Sequence, residues 1–152
     1  MLKRAALSLM LIGIAIPAFA QDRTWRNDVK PIVEAKCIEC HGAQAPEYNE
    51  WELLGDAKEK VAPRMDTYPH FMSYVVWPAT GAMMRRLDDG KISGKPGNMY
   101  QYLGDNDGDR VKNLQTIKEW LGEGAWNLNR WKERKDVPGI TKEQLEKIQA
   151  KY

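Results

Sequence analysis

Three stretches of the chain place apolar residues at helical spacing. Val29, Ile32, Val33 and Cys37 fall at i, i+3, i+4 and i+8, one face of a helix. Asn27 and Asp28 are good N-caps for its start, and Pro31 lies in its first turn, where a missing N–H is tolerated. Val111, Leu114, Ile117 and Leu121, joined by Trp120, predict a second amphipathic helix. It opens from the acidic loop 105–109 and ends at Gly122. Leu145, Ile148 and Tyr152 mark the buried face of a third, behind a capping box of Thr141 and Gln144 with Ile140 and Leu145 as its staple.

Shorter pieces lie between. Residues 48–54 predict a short helix with Trp51 and Leu54 facing inward. The run Phe-Met-Ser-Tyr-Val-Val-Trp at 71–77 has strand propensity, but a lone strand has no partner, so a short helix is expected. Residues 99–103 suit one helical turn. The rest is punctuated by Pro63, Pro69, Pro78, Asp88-Asp89-Gly90 and a Gly- and Lys-rich loop at 91–97. No internal repeat is visible. The pattern predicts helices in a single domain, residues 21–125, followed by an extension, 126–152, made of a basic linker and one helix.

Residues 1–20 stand apart. Lys3 and Arg4 precede an apolar run of 12 residues, then Pro17 and the small-x-small end Ala18-Phe19-Ala20. This is the pattern of a secretory signal peptide, cleaved before Gln21. The run is too short for an ordinary transmembrane helix, and no other stretch comes close, so no membrane span is expected once the signal is removed. Export to the periplasm follows as an expectation. The whole chain carries 23 basic and 21 acidic side chains. Losing Lys3 and Arg4 with the leader brings the net charge to zero, and a nucleic-acid binder would show a basic excess. After the leader the chain keeps five Met and six Trp, while the full sequence has just two Phe. Such a core suits a large flat apolar guest.

An exported chain with two cysteines suggests one disulfide. The spacing argues otherwise. Cys37-Ile38-Glu39-Cys40-His41 is C-x-x-C-H, the attachment signature of c-type haem. Two thiols add across the two vinyl groups of the haem as thioethers, and the next residue then lies under the iron, where its imidazole is the proximal ligand. A thioredoxin-like disulfide would need a βαβ pattern around it, which is absent. A zinc site normally needs four Cys/His ligands, and His70 is the sole further candidate.

Residues 28–42, Asp-Val-Lys-Pro-Ile-Val-Glu-Ala-Lys-Cys-Ile-Glu-Cys-His-Gly, resemble the first helix and haem site of class I-like monohaem cytochromes c. Trp120-Leu121-Gly122-Glu123-Gly124-Ala125 resembles the end of their last core helix, so the likeness spans roughly residues 25–125. It implies an all-α fold around one covalently attached haem c, with the last core helix crossing the first, and a role in carrying single electrons between periplasmic or membrane-bound redox proteins.

The iron's other axial position decides the chemistry: a second protein ligand means electron transfer, an open position gas binding or catalysis. The donors available are Met65, Met72, Met83, Met84, Met99 and His70. In the resembled family the ligand Met lies on a loop between a middle helix and the last core helix, often soon after a Gly. Gly81-Ala82-Met83-Met84 fits that place, which favours Met84, with Met83 as the alternative and Met99 next. The family commonly has Pro after this Met, whereas Arg85 follows here. With one iron, at least four of the five Met are core filler.

The acidic run Asp105-Asn106-Asp107-Gly108-Asp109 puts Arg110 and Thr116 where an EF-hand loop needs Gly and Glu, so helix capping by Asp107 or Asp109 explains it better. Arg85 and Arg86 suit haem propionates, an acidic partner or plain solvent, and the basic stretch 130–135 suits a redox partner or solvent. With His41 assigned to iron, no catalytic constellation is left, and the chain reads as a carrier, not an enzyme. The readings from other classes are a haem sensor or small haem enzyme with an open distal position, and an electron-transfer subunit of a larger oxidoreductase complex.

Overall fold

The computed structural model describes residues 22–91, 94–122, 124–127 and 141–152. The leader, most of the basic linker with Trp131, and the staple residue Ile140 lie outside them. All regular structure among the described residues is helical.

The first helix begins earlier than its caps suggested. Thr24, not Asn27 or Asp28, is the N-cap, its hydroxyl accepting from the Asn27 N–H at 3.2 Å. The Asp28 carboxylate accepts in return from the Thr24 N–H at 2.8 Å and from Arg23 at 2.8 Å. A π-helical turn, Trp25–Val29, leads into α1, Lys30–Lys36. Val29 and Val33 are fully buried, with Ile32 and Cys37 half-buried beside them, which is the predicted face. The C-x-x-C-H residues form their own helical turn, α2, Ile38–His41.

Next come α3, Tyr48–Glu52, a 3-10 turn at Gly55–Glu59, and α4, Tyr68–Met72. α3 ends at Glu52, and the expectation for Leu54 fails: it is exposed, and Leu53 more so. Trp51 is held instead by its indole N–H, which donates to the Val61 carbonyl at 2.7 Å. α4 starts before the apolar run, because Thr67 caps it and Pro69 fits its first turn. It stops at Met72, leaving Trp77 at 78% exposure rather than in the core. α5, Ala82–Arg86, follows Gly81.

A 3-10 turn, Tyr100–Leu103, precedes α6, Asp107–Leu121. Asn106 caps α6, its side chain accepting from the Asp109 N–H at 3.0 Å, so neither Asp107 nor Asp109 is the cap. Those carboxylates are engaged otherwise: Asp107 pairs with Arg110 at 2.9 Å and Asp109 accepts from the Asn106 side-chain amide at 2.7 Å, while Asp105 pairs with Lys36 at 2.8 Å. Leu114, Ile117, Trp120 and Leu121 are buried as predicted, while Val111, near the helix start, is half exposed. Asp88, which sequence places in a turn, is buried and accepts from the Trp126 indole at 3.5 Å.

An aromatic cluster joins the start of the first helix to α4 and α6. Ring centroids of Trp25 stand 5.1 Å from Phe71 and 5.9 Å from Trp120, and Phe71 stands 5.8 Å from Trp120. Pairs in such geometry contribute about 0.5–1.5 kcal/mol each beyond their buried area. Outside it, Arg23 ties the first helix to Glu119 of α6 at 2.9 Å.

The final helix is one turn only, α7, Lys142–Leu145, with the predicted capping box of Thr141 and Gln144 in place. Leu145 and Tyr152 are largely exposed, and Ala150 is the buried residue of this segment. Beyond α7 the chain runs back along the end of α6. The Gln149 and Ala150 N–H groups donate to the Leu121 and Trp120 carbonyls at 2.9 and 3.0 Å. The Lys151 carbonyl accepts from the Trp25 N–H and the Trp120 indole, both at 2.7 Å.

Candidate haem site

α1 delivers the motif, and the turn that holds it is closed by main-chain bonds. The Cys40 and His41 N–H groups donate to the Cys37 carbonyl at 3.2 and 2.9 Å, and the Cys37 N–H donates back to Val33 at 2.9 Å. Gly42 ends the turn. A Cβ there would stand 2.5 Å from the Ile38 carbonyl oxygen, so the next residue after His41 needs to be glycine. Both thiols are free: Cys37 half-buried, Cys40 exposed beside an open hollow shared with Ile38, Pro46 and Val61. Burial, with the neighbouring Cys40, pushes the Cys37 thiol up to about 11.

His41 is fixed by a segment that the sequence marks only by its breaks at Pro63 and Pro69. The Arg64 N–H donates to the Pro46 carbonyl and the Met65 N–H to the His41 carbonyl, each at 2.9 Å. This lacing lays residues 63–65 along 41–46. It brings the Pro63 carbonyl 2.6 Å from His41 Nδ1. A carbonyl only accepts, so Nδ1 carries the proton and Nε2 keeps its lone pair. Burial drives the imidazole pKa below its ordinary value; the bond to Pro63 opposes this, and the charge of Arg86 adds to it. The ring is thus a neutral, oriented Nε2 donor, the form an axial metal ligand requires.

Met83 and Met84 both lie in α5 and are buried, Met84 completely. Met99 is half-buried, and its N–H donates to the Arg86 carbonyl at 2.9 Å. Gly97 makes this approach feasible, because a Cβ there would run into the carbonyls of Arg85 and Arg86. The fold therefore brings the three methionines favoured from sequence to one helix and the strand of chain laced to its end. Met65 lies next to His41 along the chain's path, and Met72 is in α4. The Arg85 guanidinium donates to the Thr80 carbonyl at 3.0 Å. His70 is occupied: its Nδ1 lies 2.8 Å from the Thr67 hydroxyl and 3.3 Å from Asp66.

Among the described residues no three His, Cys, Asp or Glu side chains gather to hold a metal ion on their own. A protein-only zinc centre thus lacks its donor set there. A macrocycle that brings four of the iron's donors needs what the motif offers: two free thiols and one neutral imidazole. The residues fit haem c. Pro63 was the partner sequence reasoning missed. It reads locally as a helix breaker, and a main-chain oxygen 22 positions away leaves no side-chain signal.

An all-α chain with this motif, this oriented histidine and an early helix tied to the last long helix is a monohaem c-type cytochrome. The chain belongs to the PccH cytochrome c family, whose model matches residues 24–152. It is similar to the solved monohaem cytochrome PccH from Geobacter sulfurreducens, at 46% identity over 86% of this chain and 99% of that one, with a TM-score of 0.74. No curated protein sequence matches it. The family carries one covalently bound haem c and serves as an electron carrier. Its match runs to the last residue, so the returning tail is part of the family's pattern. Among the described residues no helix is long and apolar enough to cross a membrane.

Proposed function

We propose that this chain shuttles one electron at a time between redox proteins on the outer side of the cytoplasmic membrane. Cys37 and Cys40 hold the haem through thioethers, His41 is the proximal ligand, and Met84 the distal one. Bound there, haem would supply a one-electron ferric–ferrous couple. The bond from His41 Nδ1 to the Pro63 carbonyl carries this reading, since it presents a neutral Nε2 and holds the ring in one orientation. Small rearrangement on electron gain favours fast transfer. The full burial of Met84 supports it over Met83 and Met99 as the group that keeps water from the iron. The partners are periplasmic or membrane-bound redox proteins, met freely or within a larger complex, and the leader at 1–20 accounts for the location.

The visible spectrum of the exported, matured protein tests this. Sharp low-spin c-type bands with the weak far-red Met–iron feature in the oxidised form are expected. Met84→Ala should abolish that feature and make the reduced protein bind CO, while Met83→Ala and Met99→Ala leave both unchanged. High-spin bands in the parent protein would overturn the carrier in favour of a sensor or enzyme with an open distal position. Loss of the feature in a different variant would move the ligand to that residue.

A further inference from the structure

Tyr74 has a hydroxyl that the polypeptide does not serve. The residue is 4% exposed, and its Oη is the one buried side-chain oxygen or nitrogen among the described residues without a hydrogen-bond partner. Buried polar groups are nearly always paired, and one that the polypeptide leaves unpaired calls for a partner from outside it. Tyr74 does not owe its position to slack packing. Its carbonyl accepts from the Met83 N–H at 2.9 Å, which pins it to the start of α5, and its ring meets the Tyr48 ring edge-on at 5.8 Å. Burial raises the phenol pKa well above its ordinary value, and Tyr48 and Glu52 add to this, so the group is a neutral O–H donor.

The missing partner is therefore an acceptor from outside the polypeptide, reached from the α3–α5 side of the core. Haem c, once its four pyrrole nitrogens are committed to iron, has strong acceptors only in its two propionate carboxylates. We propose that the Tyr74 hydroxyl donates a hydrogen bond to a haem propionate, a role that rests on the haem site described above. The Glu52 carboxylate nearby is of the wrong charge to stabilise a propionate, which leaves an uncharged donor as the means of holding it there. A coordinated Met sulfur is the other acceptor within the same region, but thioether sulfur accepts weakly, whereas a bond from O–H to a carboxylate is charge-assisted.

Tyr74→Phe removes the hydroxyl and keeps the ring, so the packing against Tyr48 is preserved. Wild type and variant are matured as holoproteins, and covalent haem is verified in each by mass and by the low-spin spectrum. Resonance Raman then reads the propionate bending band, and a redox titration reads the midpoint potential. The expected result is a shifted bending band and a lower potential in the variant, because an uncompensated carboxylate favours ferric iron, with the far-red Met–iron feature unmoved. A bending band that stays put overturns the proposal. If the far-red feature moves instead, the hydroxyl serves the Met sulfur and the proposal is equally overturned. A wild-type protein without covalent haem would bring down the haem reading itself, a result distinct from either.

Discussion

Removal of residues 148–152 tests how the tail contributes to the fold. Five hydrogen bonds to the first helix, α4 and α6 go with it: two into the end of α6, two onto the Lys151 carbonyl, and one from the Tyr68 hydroxyl to the Ala150 carbonyl at 2.8 Å. At about 1 kcal/mol net for each, the bonds come to roughly 5 kcal/mol. Freeing five residues returns backbone entropy of about 1–2 kcal/mol per residue, so the bonds and the chain entropy largely cancel. The balance is set by what the tail covers. Trp25 and Trp120 are 2% and 1% exposed, and Lys151 lies over both. Each ~100 Å² of apolar surface uncovered costs about 2.5 kcal/mol. A net loss of about 2–4 kcal/mol is expected, a large share of the roughly 5–15 kcal/mol available to a domain. Urea unfolding of the haem-loaded protein, followed by far-UV circular dichroism, measures it as a lower midpoint at similar slope. The visible spectrum should stay low-spin, because these contacts reach the aromatic cluster and not His41. An unchanged midpoint would refute the claim that the tail seals the junction of the first helix with α6. A high-spin spectrum would refute its separation from the haem site.

Two further perturbations probe the supports of the site. Gly97→Ala puts a Cβ into the main-chain carbonyls of Arg85 and Arg86, which cannot move aside as a side-chain tip would; a loss of about 1–3 kcal/mol in urea unfolding is expected, and an unaffected midpoint would contradict the close approach. Asp28→Asn tests the first helix start, where the Thr24 N–H, then Arg23, hold the Asp28 carboxyl below its ordinary value of 3.8. A depressed folded value means that the carboxylate's contribution is complete above that ordinary value and is lost as pH falls through the folded one. The variant should be less stable by about 1 kcal/mol at neutral pH, with the gap closing in acid; parallel stability curves from pH ~7 to pH ~2 would remove the linkage.

How far the sequence reached depended on whether side chains or main-chain atoms did the work. C-x-x-C-H was legible because thioether formation and axial ligation dictate which side chains stand at which spacing. The faces of α1 and α6 were legible because burial acts on side chains with the helix period, and the exception lies toward an end: Val111 is one turn into α6, where neighbours are fewer. The cap of the first helix was misread since Thr24, Asn27 and Asp28 are all competent, and the winner is decided by a π-helical turn and a reciprocal bond that no propensity encodes. Leu145, Ile148 and Tyr152 do have helical spacing, yet the helix stops after one turn. Continuing it would take the N–H groups of Gln149 and Ala150 away from the Leu121 and Trp120 carbonyls. The end of α6 leaves those carbonyls without helical partners, and the tail supplies them. The same kind of atom orients His41. A carbonyl is common to every residue, so Pro63 announces nothing in the sequence, but where residues 63–65 pass under the motif that one oxygen decides which imidazole nitrogen is free to meet a metal.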